Sequence, residues 1–426
     1  MRILMLAQFY PPVIGGEERH VVSLSEALVQ RGHEVHVATM PHPSRGETEV
    51  VGGVTIHSVR GVFQRASMLF SELERPHAPP FPDPEIALRL LRLAQRIDPD
   101  VVHGHNWLIH SYLPWAGWLR AGLVSTLHDY SFPCAIKTLI SGGERCEGPS
   151  YGKCLRCAGA HFGKAMGVVT ASGHLAFQGA HRRSVDHFIA VSQAVAQKSS
   201  LPDSGVPYEV HPTFIPDDVA AWTPTDDPRL AQLPSEPYLL FVGELNQRKG
   251  VGTLVEAYAR LPAAPPLVLI GRRCPDTPAT LPKNVTLHES WPHALVMHAW
   301  RRCLFGLAPS NWVEPCGTIV MEANAVGKPM IATGHGGLAE SVEDGRTGLL
   351  VPPDSPGELA EAMRTLIADA DLRARLAVNA LGKADAFMAK TVVPKIEAIY
   401  RKVCAARASP ARGAAPAGLV DQARGG

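Results

Sequence analysis

The 426 residues, 46% hydrophobic and 19% charged, exceed what one core needs and suit two domains of about 200 residues each. Forty-one Lys and Arg against forty Asp and Glu leave a net charge of +1, so no overall field draws in nucleic acid, and net charge gives peripheral membrane contact no support. The opening MRILMLAQFYPP is short before its prolines and no run reaches the roughly 20 apolar residues of a membrane span, so a soluble, cytoplasmic protein is expected.

Strands and helices alternate along the chain, the pattern of a parallel sheet covered on both faces. A strand is predicted over Arg2 to Phe9, a helix over Glu17 to Arg31 closed by Gly32, and a second strand over Glu34 to Thr39. A Leu-rich helix over Pro84 to Ile97 leads to a strand at Val101 to His105. A Trp-rich helix over Trp107 to Leu119 follows, then strands at Leu123 to His128 and Asp186 to Val191. Residues 1–215 thus form one doubly wound unit, and the Pro- and Asp-rich stretch 216–236 reads as a linker.

The alternation restarts in residues 237–384. Strands are predicted at Tyr238 to Val242, Leu267 to Ile270, Val285 to Leu287, Leu304 to Ala308, Pro329 to Thr333 and Gly348 to Val351. Helices fall at Gly250 to Leu261, Pro292 to Trp300, Gly317 to Val326 and Ser355 to Ala368. A last helix over residues 385–404 is expected to pack back on the first domain, and the Ala-, Gly- and Pro-rich residues 405–426 are expected to be disordered. The fold class is α/β, two Rossmann-like domains facing a cleft, and ligands of such sheets bind beyond the carboxyl ends of the strands.

Three segments at that edge suit an anion: Gly15-Gly16 before the first helix, Arg248-Lys249-Gly250 after the strand ending VGELN, and Gly317 in EPCGTIVME. Each alone reads equally as a turn; their shared position at the edges of two domains gives them weight. In EPCGTIVME, Pro315 and Gly317 place Glu314 in a loop before a helix start and Glu322 inside the helix. Four cysteines, Cys134, Cys146, Cys154 and Cys157, lie in a Gly-rich insertion over about 132–167, the last two as CLRC. Either they form a tetrahedral structural zinc site or they are free thiols in a loop.

VVGGVTIH, DPDVVHGHN, STLHDY, IAVSQAV, FVGELNQRKGVGTLVEAYARL, EPCGTIVMEANAVGKPMIAT and GHGGLAESVEDGRTGLLVPPDSPGELAEAM resemble, in order, the successive blocks of the family 4 glycosyltransferases. The resemblance runs from Arg2 to about Val403 and implies a GT-B fold, a nucleoside-diphosphate sugar as donor (UDP-sugar first, GDP-sugar second), no catalytic metal and transfer with retention. It implies an acceptor hydroxyl on a glycan, a lipid-linked sugar or a secondary metabolite. By the same resemblance Glu314 meets the donor sugar and Glu322 the ribose hydroxyls, which suits carboxylates that accept two hydroxyl donors. Cys316, Gly317, Thr318 and Ile319 would lie beside the diphosphate with Gly15 and Gly16. Lys249 and Arg248 would stabilise the leaving group. His128 would orient sugar or acceptor, with Asp129 orienting its ring. His103, His105, His110 and His335 have weaker claims, and Gly336 and Gly337 are placed near the donor.

One residue departs from the family pattern: Glu244 stands where an arginine is usual. Either Arg248 supplies the missing cation or Glu244 points at another partner. Trp107, Trp115 and Trp118 could help hold an acceptor or form core. Two other readings share the architecture, a sugar-nucleotide 2-epimerase and a non-catalytic nucleotide-sugar-binding protein. A nicotinamide enzyme is disfavoured, because AQFYPPVIGGEE lacks GxGxxG.

Overall fold

The computed structural model describes residues 1–13, 15–63, 77–223 and 226–408. The first sheet takes β1 Arg2–Leu6, β2 Glu34–Thr39, β3 Thr48–Val51, β4 Val54–Ser58, β5 Val101–Gly104 and β6 Gly122–Leu127. A small hairpin, β7 Ile140–Ser141 and β8 Glu144–Arg145, stands apart, and β9 His187–Ala190 and β10 Tyr208–Val210 complete the sheet. Its order is β10-β9-β6-β5-β1-β2-β4-β3, parallel except for β3 at the edge. The second sheet, β11 Leu239–Val242, β12 Leu267–Ile270, β13 Val285–His288, β14 Gly306–Ala308, β15 Met330–Thr333 and β16 Gly348–Val351, runs in the order β13-β12-β11-β14-β15-β16. All its pairs are parallel. Each order reverses once, between β1 and β5 and between β11 and β14, and the carboxyl ends at those points open a crevice.

Helices cover both faces. In the first domain they are α1 Gly16–Gln30, α2 Pro84–Ile97, α3 Tyr151–Phe162, α4 Lys164–Ser184 and α5 Gln193–Lys198. The second carries α6 Val251–Ala259, α7 His293–Arg302, α8 Thr318–Ala325, α9 Gly336–Ser341, α10 Pro356–Ala368 and α11 Ala370–Ala384. The start of α2 is set locally: Asp83 accepts from the amides of Glu85 and Ile86, and Pro84 occupies the first turn, where no amide bond is lost. Its buried Ile86, Leu90, Leu93, Ala94 and Ile97 form one stripe against the sheet.

Three expectations are corrected. Trp107 to Leu119 is no single helix but two 3-10 turns, Trp107–Ser111 and Leu113–Trp115, because Pro114 lacks an amide hydrogen and locks its own backbone. The Cys-rich insertion, read as a loop, opens with turns and the β7–β8 hairpin but ends in helix, with Cys154 and Cys157 on α3. The described part of 216–236 forms two 3-10 turns, Val219–Ala221 and Pro228–Gln232, and Val219 and Leu233 pack into the second-domain core.

The last helix, α12 Ala389–Ala408, crosses back to the first domain. Val392, Val393, Ile396, Ile399, Tyr400 and Val403 join Ile3, Met5, Val21 and Val124 in its core. Glu397 accepts from Arg31 and His33, at 2.6 and 2.8 Å, fixing the helix beside α1. Of the tail expected to be disordered, residues 405–408 instead belong to this helix, with Arg407 bonded to Asp186, and the remainder lies outside the described residues.

Candidate active site

A cleft of about 2210 Å³ lies between the domains at the carboxyl ends of both sheets. Gly15, Gly16, Arg248, Lys249, Thr318, Ile319 and Glu322 of the predicted set line it, while Glu314 stands directly behind Lys249.

The second-domain wall is built of paired charges. Gly250 ends the loop after β11 in a left-handed conformation, φ +74°, and a side chain there would sit 1.7 Å from the Pro309 carbonyl. Only glycine fits, and this close approach brings Lys249 against the loop after β14. Its Nζ donates to Oε1 of Glu314 at 2.6 Å, and Ser310 Oγ donates to the same oxygen at 2.6 Å. Glu314 is 6% exposed, so its charge is balanced by a cation and a hydroxyl rather than by water. Gly336 and Gly337 press on the backbone of Glu314 and Pro315, the Gly337 amide donating to the Glu314 carbonyl at 2.7 Å. They support this loop instead of facing the cleft.

Thr318 opens α8, and Gly317 before it offers no side-chain cap, so the first amides of the helix are unclaimed by a capping side chain. Glu322, 4% exposed, accepts from His293 Nε2 at 2.7 Å and from Trp300 Nε1 at 3.3 Å. Cys316 does not reach the cleft wall: its sulfur meets Thr213 Oγ1 at 3.0 Å and burial raises its thiol pKa. Glu244 has another partner, as one of the two sequence readings held. Arg272 donates to it at 2.6 Å and Asn246 at 3.1 Å. Burial pushes the Glu244 carboxyl up, but the bond from Arg272 and the charges of Arg272, Arg248 and Lys249 outweigh it and hold the pKa below its usual value. Arg272 also lines the cleft, so the wall gains a cation that the motif reading missed.

On the first-domain side His20 lines the cleft, and a cluster of neutral imidazoles that includes His128 stands behind it. His128 follows β6, is half-buried, and its Nε2 lies 3.0 Å from His105 Nδ1. Burial above all, with His20 and His105 beside it, holds its pKa well below the usual histidine value. Asp129 does not orient this ring, since its carboxylate accepts from the Ser131 amide at 2.7 Å. His103 bonds Tyr400 and Thr126 at 2.7 Å each and ties α12 to the sheet, and His110 packs edge-on to His181 in the core. His335 bridges the domains: its Nε2 donates to the Ser310 carbonyl and its Nδ1 accepts from Arg145 of the hairpin, both at 2.9 Å.

Near the start of α1, Glu17 accepts from Asn106 Nδ2 at 2.8 Å, and Lys137 donates to Asn106 Oδ1 at 3.0 Å while lying over the Trp107 ring. Burial first, then Glu18 and Asp129, pushes the Glu17 carboxyl well above its usual range. Of this trio only Asn106 fell within a quoted motif block, and none was singled out from the sequence. Of the tryptophans, Trp107 is core, Trp115 is half-buried with its indole bonded to the Ala87 carbonyl, and Trp118 is 84% exposed, so they do not share an acceptor face.

For the four insertion cysteines the sequence left open a structural zinc site or free thiols. Cys134, Cys146, Cys154 and Cys157 are free thiols, and among the described residues no three His, Cys, Asp or Glu side chains are gathered so as to hold a metal ion. The thiols are turned to other partners: Cys157 donates to Ser141 Oγ at 3.1 Å and Cys146 to the Gly148 carbonyl at 3.3 Å. Among the described residues no helix is long and apolar enough to cross a membrane.

Comparison with known proteins gives a consistent answer for both halves. The profile of the Glycosyltransferase Family 4 matches residues 14–201, and that of the Glycosyl transferases group 1 matches residues 224–382. The glycogen synthase of Mycobacterium tuberculosis is 28% identical over 425 residues, covering 88% of this chain and 89% of that protein. The D-inositol 3-phosphate glycosyltransferase of Xylanimonas cellulosilytica is 28% identical over 389 residues, covering 86% of each. Among solved structures, sucrose-phosphate synthase from Thermosynechococcus elongatus superposes with a TM-score of 0.69 at 21% identity over 95% of this chain and 99% of that one. Anabaena HepE in complex with UDP gives 0.66 at 19%, over 94% and 100%. The chain belongs to the family 4, group 1 glycosyltransferases, and it is a transferase of the two-domain GT-B fold.

Proposed function

We propose that the enzyme moves a hexose-type sugar from a nucleoside-diphosphate sugar, UDP-sugar before GDP-sugar, to an acceptor hydroxyl with retention at the anomeric carbon. The observation that carries this reading is the Lys249–Glu314 pair, at 2.6 Å, set beside the uncapped start of α8 and Glu322 on one cleft wall. The diphosphate takes the α8 amides with Lys249, Arg248 and Arg272, and Glu322 receives the ribose hydroxyls alongside His293. Glu314, freed from Lys249 by the arriving phosphate, accepts from hydroxyls of the sugar. The bond from the anomeric carbon to the phosphate oxygen breaks, and the electron pair stays on the diphosphate. Fixed cations favour that developing charge over the ground state. The acceptor hydroxyl adds on the face the diphosphate leaves, and its proton passes to the departing phosphate oxygen. Three cations take the part a catalytic metal would otherwise play.

Support for a UDP-sugar comes from Anabaena HepE, solved with UDP and with UDP-glucose. A thermal-shift panel of UDP-, GDP- and ADP-sugars tests the donor, because a bound ligand raises the melting temperature by mass action. Mass spectrometry and NMR of the product then test the reaction. A new α-linked glycoside from an α-donor is expected. An epimer of the nucleotide sugar would establish the epimerase instead, and binding without turnover would establish a non-catalytic protein.

A further inference from the structure

The Cys-rich insertion reaches across the domain boundary. Its hairpin turns at Gly142-Gly143, both left-handed at φ +63° and +87°, the pair that a tight two-residue connection needs. The Cys146 amide extends the ladder by donating to the Leu139 carbonyl at 2.7 Å, and Cys157 of α3 braces the hairpin through Ser141. Arg145, at the end of β8, is thereby carried on a firm mount to His335 at the head of α9.

The chemistry of that ring makes the contact specific. A carbonyl only accepts, so the bond to Ser310 places the proton on His335 Nε2 and leaves Nδ1 a bare acceptor aimed at the first domain. Arg145 meets it with a charged donor. Behind the ring, the Ser310 hydroxyl holds the Glu314 carboxylate, and the Gly337 amide in the first turn of α9 holds the Glu314 carbonyl. The other end of α9 is gripped by the first domain as well. Glu340 accepts from the amides of Gln193 and Ala194, at 2.8 and 2.9 Å, the two that open α5 and that the Ser192 cap does not reach. Both ends of α9 are thus fastened to the first domain, while its start presses on the loop that bears Glu314.

We propose that Arg145 is an interdomain positioning residue, and that with Glu340 it clasps the two domains in the arrangement that sets Glu314 for transfer. The proposal rests on the role given to Glu314 above. One exposed charged contact adds little by itself. Two of them at opposite ends of one short helix resist rotation of the domains about each other, and a small misplacement of a reacting group lowers the rate far more than the affinity. The insertion therefore serves the reaction without touching the nucleotide.

The first measurement needs no substrate. In protein carrying 15N-labelled histidine, with the His335 signal identified by its loss in His335→Gln, Arg145→Ala should move the Nδ1 resonance. Arg145→Lys, which keeps a charged donor, should restore part of the shift. Small-angle scattering should find the ligand-free Arg145→Ala/Glu340→Ala double variant more extended than the wild type. The second measurement reads transfer to water, as UDP released from UDP-glucose. Arg145→Ala and Glu340→Ala should each lower kcat at least about threefold, with Tm and the calorimetric affinity for UDP unchanged, and Arg145→Lys should recover part of the loss. The proposal is overturned if either the His335 signal or the scattering is unchanged, if kcat holds, or if UDP affinity and Tm fall in step with kcat, the pattern of a merely structural residue. Should the wild type neither bind UDP nor release it from UDP-glucose, the donor reading fails instead, and the clasp stands or falls on the nitrogen shift and the scattering.

Discussion

The two walls of the cleft keep polar groups away from bulk water in opposite ways. On the second domain each acid has a donor partner: Glu314 with Lys249, Glu244 with Arg272, Glu322 with His293. On the first, His20 is buried with neither ring nitrogen satisfied, and Nδ1 of the half-buried His128 has no protein partner. Paired charges can exchange a protein partner for a ligand of the same sign, so the second wall is prepared for a charged nucleotide.

The sharpest way to break this contrast is Lys249→Ala, which removes the cation proposed for the leaving phosphate and leaves Glu314 buried beside a hydroxyl alone. Turnover should fall by about 10²–10³, as for loss of one preorganised stabiliser of developing charge. Steady-state kinetics retaining more than a tenth of wild-type kcat would contradict the assignment.

Acidification should strike the first wall. The folded pKa of His20 is lowered from 6.5 to about 4, so between those values the unfolded chain binds the extra proton and stability rises with pH. The contribution is fully present above pH 6.5 and is lost as pH falls towards 4, on the order of 3 kcal/mol for this residue. Buried His181, lowered to about 3 by burial, adds in the same direction. Denaturant melts across that window should show the decline, and His20→Phe should flatten part of it. A wild-type profile without slope would count against buried neutral rings.

Within the second wall the two acids divide the work. Glu322→Gln should weaken UDP binding at least tenfold by calorimetry, since a charge-assisted hydrogen bond is worth about 1.5–3 kcal/mol. Glu314→Gln should spare UDP and lower kcat by a similar factor. Equal losses of UDP affinity in both variants would erase the distinction. The smallest effect is expected at Arg272, which is 60% exposed and screened by solvent. Arg272→Ala should weaken UDP about three- to tenfold by releasing the Glu244 charge into the cleft, and adding Glu244→Gln should recover part of it. Additive losses in that double mutant would show that the pair is uncoupled.

What the chain disclosed in advance follows from where its signals are local. The strands Glu34–Thr39 and Leu267–Ile270 and the helix Pro84–Ile97 appear as read, because an apolar run or an Asp-Pro start carries its own boundary. Helices α3 and α4 escaped because GKCLRCAGA and GVVTASG are rich in small residues that hide any apolar stripe. Lys249, Glu322 and the α8 start were legible from motif blocks. The partners that complete them were not: His293 and Trp300 reach Glu322 from 29 and 22 positions away. Arg272 sits after the strand next to the one bearing Glu244, a relation only the sheet order reveals. His20 stood in plain view on α1, but its missing partners are a property of packing.

The return of α12 bears on the order in which the protein is made. Val403 fills the space over Gly122, where a side chain would come within 2.2 Å of it, and Tyr400 satisfies His103 inside the sheet. A ribosome delivers these residues only after the whole second domain has been made. At roughly 5–20 residues per second, the N-terminal sheet waits on the order of ten seconds or more beyond its own synthesis with one face uncovered. The usual sequence, first domain finished first, is inverted: the second domain can close on the growing chain, while the first is sealed only after the second domain has followed it out of the exit tunnel.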